Sequence, residues 1–100
     1  MTSVEIRRVE TNKKQYLALL LLADEQEDMI DRYLERGSMY VLEDDGVKAE
    51  CVVTDEGGGV LELKNIAVEP DFQGKGYGKA LVDFLIRTYA GQYMLLQVGT

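Results

Sequence analysis

The sequence has no histidine and a single cysteine, Cys51. Disulfide frameworks, zinc clusters and every histidine-based dyad or triad are thereby excluded, and no metal site is expected. Cys51 falls on the apolar phase of a strand pattern with Val47, Ala49 and Val53, so it reads as a small core residue rather than a reactive thiol. Basic side chains are also in short supply, with 11 Lys and Arg against 18 Asp and Glu and a formal net charge of −7. Such a surface repels phosphate backbones and anionic headgroups, which argues against nucleic acid and membrane as partners, while it draws in cations such as amines. The apolar run Leu17 to Ala23 is too short to span a bilayer and lacks a small-x-small cleavage pattern, so the chain reads as cytoplasmic.

What is present suits one domain over residues 1–100, since 46% hydrophobic residues can build a modest core. Val4 and Ile6 alternate with charged residues as a first strand does. Asn12 then reads as the N-cap of a helix from Lys13 to Ala23, whose inner stripe is Tyr16, Leu19, Leu20 and Ala23. Asp24 reads as a second cap, followed by a short helix with Met29, Ile30, Tyr33 and Leu34 inward and Gly37 as its stop signal. Met39 to Leu42 and Val47 to Val53 flank Asp45-Gly46, which tolerates the positive φ angles of a type I′ hairpin turn. Gly57-Gly58-Gly59 forms a second turn before a fourth strand.

That fourth strand carries a phase error. Leu61 and Leu63 mark one face, but Ile66 and Val68 are out of step with them by one residue. Either one extra residue near Lys64-Asn65 forms a β-bulge, or Ile66 and Val68 face a helix on the opposite side of the sheet. Pro70 ends the strand. A helix from about Lys79 to Ala90 follows, with Lys79, Asp83 and Arg87 as its polar stripe, and Tyr93 to Val98 reads as a fifth strand parallel to the fourth. The fold class is α/β (α+β): a mixed sheet of about five strands with three helices, in the order β-α-α-β-β-β-α-β.

Between the fourth strand and the third helix lies Gln73-Gly74-Lys75-Gly76-Tyr77-Gly78-Lys79, three glycines in five positions at the mouth of a helix. Glycines let successive N–H groups turn toward one point, and a helix N-terminus adds roughly half a positive charge. Such a segment is an anion site, or else a sharp glycine-rich turn. It is not a P-loop, because Gly78-Lys79 is followed by Ala80, and not a dinucleotide fingerprint, because Lys79 stands where the third glycine is required.

The stretch from Leu63 to Leu81 closely resembles the cofactor-binding motif of the GNAT N-acetyltransferase superfamily. The family signature Arg/Gln-x-x-Gly-x-Gly/Ala is matched by Gln73, Gly76 and Gly78, and the preceding Val-x-Pro by Val68 and Pro70. The resemblance implies acetyl-CoA as cosubstrate and a primary amine on a small molecule or peptide as acceptor. Backbone amides from Gln73, Gly74, Lys75, Gly76, Tyr77, Gly78 and Lys79 would hold the pyrophosphate. Those around Ile66, Ala67 and Val68 would pair with the pantetheine arm, and one would polarise the thioester carbonyl. It offers Glu62 as general base, the alternative being a solvated strand glutamate. It also implies an incomplete domain, truncated after the fifth strand, without the tyrosine that in the family protonates the departing thiolate; Tyr77 and Tyr93 are available here, but the former reads as flanking the loop and the latter as packing. The free edge at Tyr93 to Val98 would then invite self-association into a homodimer. A catalytically inactive CoA-binding module is the alternative function.

Overall fold

The computed structural model describes residues 4–98. Five strands form one sheet in the spatial order β1-β2-β3-β4-β5: Glu5–Val9, Ser38–Glu43, Val47–Gly57, Val60–Val68 and Leu95–Val98. The first four are antiparallel neighbours, and β5 runs parallel to β4, with Leu61 beside Leu96. Helices α1 (Leu17–Ala23) and α2 (Glu27–Asp31) cover one face; α3 (Tyr77–Tyr89) covers the other. No helix among the described residues is long and apolar enough to cross a membrane.

Strand alternation sorts the core into two layers. Beneath α3, Leu81 and Leu85 meet Leu42, Ala49, Cys51, Val53, Leu61 and Leu63. Opposite, Leu20, Ile30, Tyr33 and Leu34 pack on Met39, Val41 and Val52. Cys51 is fully buried and burial pushes its thiol pKa up, which settles it as a core residue. The bulge is present. Asn65 pairs with Val52 but Leu63 pairs with Val53, so Lys64 is the extra residue. Ile66 and Val68 therefore join Leu61 and Leu63 in the α3 layer, and the opposite-face alternative is excluded. Asn65 and Ala67 are turned to the α1 side.

Several local expectations are corrected. Asn12 has φ 51 and makes no side-chain cap bond; a 3₁₀ turn at Lys13–Tyr16 precedes α1. Asp24 is likewise not the cap of α2, a position taken by Gln26. Met29 and Ala23 lie outward, since α2 is only five residues long and the turn after it carries Tyr33 and Leu34 inward. The first hairpin loop has three residues, Asp44 to Gly46, although Asp45 and Gly46 do adopt φ 57 and 98. Helix α3 begins at Tyr77, two residues early, and β5 is shorter than expected.

Two features tie the α1–α2 segment down. The buried Lys13 ammonium donates to the carbonyls of Leu34, Glu35 and Gly37 at 2.9, 3.3 and 2.7 Å, meeting the acceptors that a helix end leaves open. Gly37 is pressed so closely on β3 that a Cβ there would stand 2.8 Å from Val52 Cγ1 and 2.9 Å from the Tyr33 carbonyl oxygen. We expect Gly37→Ala to destabilise the fold by about 1–3 kcal/mol through overpacking, read as a lower urea midpoint at unchanged m-value.

Candidate active site

The glycine loop is set by the strand before it. Pro70–Phe72 forms one 3₁₀ turn after β4, and the Gln73 side chain donates back to the Val68 carbonyl at 3.3 Å. Gly74 and Gly76 then take φ 81 and 88, conformations that a residue with a Cβ adopts only at a cost. Nothing lies within 4 Å of a Cβ placed on either. Gly78 differs, being helical, with Val68 Cγ2 3.7 Å from its would-be Cβ.

The amides of this segment are free. Among the described residues, no backbone carbonyl or side-chain oxygen accepts from a backbone N–H between Gln73 and Lys79, whereas those of Phe72 and Ala80 on either side donate to Glu69 and Gly76 at 2.9 Å. A run of unpartnered N–H groups at a helix N-terminus is a receptor for an anion. Lys75 adds a cation nearby, resting against the Phe72 ring with its Nζ 5.7 Å from the centroid.

The bulge governs what lies beside the loop. Strand β5 pairs with β4 only from Val60 to Leu63, so beyond Lys64 the outer edge of β4 has no neighbour among the described residues. A cleft of about 310 Å³ opens there, lined by Leu22, Ile66, Ala67, Val68, Gln73 and Gly78. Five of these six are sequence-predicted binding residues. Leu22 is the addition, half exposed on α1 with no local signal beyond its breach of the inner stripe.

A second cleft, of about 610 Å³, lies on the α1–α2 side and is lined by Asp24, Met29, Arg32, Tyr33, Arg36, Glu62 and Lys64 together with Ala23. Here the one candidate catalytic residue is found. The Glu62 side chain is only 13% exposed, so it is not a fully solvated strand glutamate. It pairs with Lys64 and accepts from Gln97 Nε2 at 2.6 Å. The Lys64 bond above all holds its carboxyl below the usual carboxylate range, so it is ionised at neutral pH and is a weakened base. Neither tyrosine considered as a proton donor reaches this cleft. Tyr77 donates to Asp44 Oδ2 at 2.5 Å, and Tyr93 to Asp55 Oδ2 at 3.0 Å with its ring edge-on to Tyr89. Those carboxylates push both phenol pKa values up.

Sequence reasoning missed a buried polar cluster under α1. Asn65 Nδ2 donates to the Leu20 carbonyl at 3.1 Å and to the Tyr33 hydroxyl at 3.0 Å, and that hydroxyl donates to Asp24 Oδ2 at 3.3 Å. Beside them Glu50 is fully buried, and burial pushes its carboxyl up to about 8. A raised carboxyl must take up a proton on folding, so stability falls as pH rises from the unfolded value toward about 8 and is level above it. Glu50→Gln should therefore raise the melting temperature, and the gain should widen between about pH 5 and about pH 8.

Comparison with known proteins bears on the fold and the family of the chain. A model of the acetyltransferase (GNAT) domain matches residues 35–99. The uncharacterized N-acetyltransferase YvbK of Bacillus subtilis (strain 168) is 43% identical over 74 residues, which cover 73% of this chain and 47% of that protein. A GNAT family acetyltransferase from Elizabethkingia anophelis, crystallised with acetyl-CoA bound, superposes with a TM-score of 0.89 at 30% identity, over 97% of this chain and 65% of that one. An IAA acetyltransferase from Bacillus cereus ATCC 14579 gives 0.85 at 40% identity, over 98% and 66%. The chain thus spans about half the length of its curated relative and under two thirds of the first two structures.

Proposed function

The chain belongs to the GNAT acetyltransferase family, and from that premise we propose that it takes acetyl-CoA and transfers the acetyl group to a primary amine by direct attack. The observation that carries the reading is the unpartnered run of amides from Gln73 to Lys79 beside the open edge of β4. A diphosphate is the anion that suits several N–H donors at once, with Lys75 as an added cation. Bound in this way, acetyl-CoA would supply an activated acyl group as a thioester. The edge at Ile66, Ala67 and Val68 would receive the pantetheine arm as an added strand, and an amide of that edge would polarise the thioester carbonyl.

The acceptor belongs in the cleft between α1–α2 and Glu62. Asp24 and Glu62 offer it carboxylates that can meet an ammonium ion, set among the cations Arg32, Arg36 and Lys64, and the long chains of the two arginines bound its size. Glu62 is our candidate for the base, through water, with its proton affinity lowered by Lys64. The β5 edge, with Leu95 and Val98 exposed, favours pairing with a second copy; light scattering at high concentration should then give a mass above that of one chain, and a strictly monomeric mass would exclude it.

Calorimetric titration with acetyl-CoA tests the cofactor assignment. Gly76→Ala, which puts a side chain on a φ of 88, should weaken binding by about tenfold or more while costing the fold roughly 1–2 kcal/mol. Thiol release with a panel of amines separates a transferase from a module that binds CoA without turnover.

A further inference from the structure

Glu50 takes no part in the steps above, yet it is a fully buried carboxyl. Neither of its carboxyl oxygens has a hydrogen-bond partner among the described residues, and nor does Asn65 Oδ1. Three acceptors with no donor are stable in a buried place only if protons or water reach them. On the sheet Glu50 stands opposite Val41 on β2 and Ala67 on β4, and Asn65 is its diagonal neighbour on the same face, at roughly 7–8 Å. The layer above holds Leu20, Ile30, Leu34 and Tyr33.

Position gives the cluster an outlet on each side. Tyr33 and Asp24, joined by their 3.3 Å bond, line the acceptor-side cleft. Ala67, directly across from Glu50, lines the cleft beside the glycine loop. Glu50 thus sits under α1 between the two clefts, at the inner end of the polar sequence Asp24, Tyr33, Asn65. Among the described residues of this layer, the Tyr33 hydroxyl is the titratable group that feels the Glu50 charge, with Asp24 beyond it; Val41 of β2 and Ala67 of β4 stand opposite, with the Asn65 amide diagonal and Leu20 and Ile30 above.

We propose that Glu50 is a second, buried proton acceptor for the acetyl transfer, reached from the acceptor cleft through Asp24, the Tyr33 hydroxyl and water held against Asn65. It rests on the acetyltransferase reading above. The amine enters as an ammonium ion and gives one proton through this route to the Glu50 carboxylate. Its freed lone pair forms the N–C bond to the acetyl carbon as the C–S bond breaks. The second nitrogen-bound proton passes through water and Glu62 to the departing thiolate to give the CoA thiol, the third stays on the new amide, and Glu50 returns its proton to solvent. Glu50 does not touch the amine. Burial raises Tyr33 as well, helped by the charges of Asp24 and Glu50 and opposed by the Asn65 bond, so the hydroxyl passes protons without parting with its own for long.

Thiol release measured from about pH 6 to about pH 10 with an accepted amine decides the matter. The ionised form of Glu50 is needed, so kcat should climb to about pH 8 and level off. Glu50→Gln should erase that limb and cost about 100-fold in kcat at an unchanged KM for acetyl-CoA; Tyr33→Phe, which cuts the route and leaves the carboxyl in place, should cost a similar factor. Glu62→Gln should keep the limb. A wild-type profile in either of the first two variants overturns the proposal. A readout without turnover is the infrared carboxyl band assigned by its loss in Glu50→Gln, expected to titrate near pH 8 and to exchange in D₂O. A band that neither titrates nor exchanges overturns the relay, whereas failure of acetyl-CoA to bind in calorimetry overturns the cofactor reading instead.

Discussion

One extra residue in β4 organises this molecule. A strand of nine residues with strict alternation would send Leu61, Leu63, Asn65 and Ala67 to one face and leave Ile66 and Val68 on the other. Inserting Lys64 as a bulge keeps four apolar side chains under α3 and turns the amide of Asn65 toward α1. The same irregularity marks where β5 stops pairing, so the outer edge of β4 opens beside the glycine loop. Core packing, the cleft and the polar cluster beneath α1 all follow from a single register shift.

Much of this was legible in the amino-acid order, because the relevant signals are short-range. A phase slip between Leu63 and Ile66 can be seen without coordinates, and so can alternating glycines ahead of an apolar helix. Gly46 and the three glycines from Gly57 also took the positive φ values that their turn positions imply. Parallel pairing of β5 with β4 followed from the strand, helix, strand order and the handedness of such crossovers.

What could not be read depends on residues far apart in the chain. Asn12 and Asp24 have the composition of helix N-caps, but Asn12 sits at that position without a side-chain cap bond and Asp24 leaves the N-cap of α2 to Gln26 and meets Tyr33. Glu50 gives no sign of burial in a strand where charged residues alternate with apolar ones, because its exposure is decided by what α1 covers. Glu62 had the right strand and an uncertain direction, and only the register places it beside Lys64 in the cleft on the α1–α2 side. Local chemistry names a residue's preferences, and the packing of other elements chooses among them.

The Lys13 ammonium, seated on the carbonyls of Leu34, Glu35 and Gly37, has a bearing on a protein that would handle activated acyl groups. A lysine nitrogen reacts with a thioester only as a free amine with an open approach, and this one would have to abandon all three oxygens and leave its burial to offer that lone pair. The exposed Lys79 and the Lys14 ammonium, tied only to surface carboxylates, have no such shelter. The residue that fastens the first helix to the turn after the second is thus shielded from any such reagent.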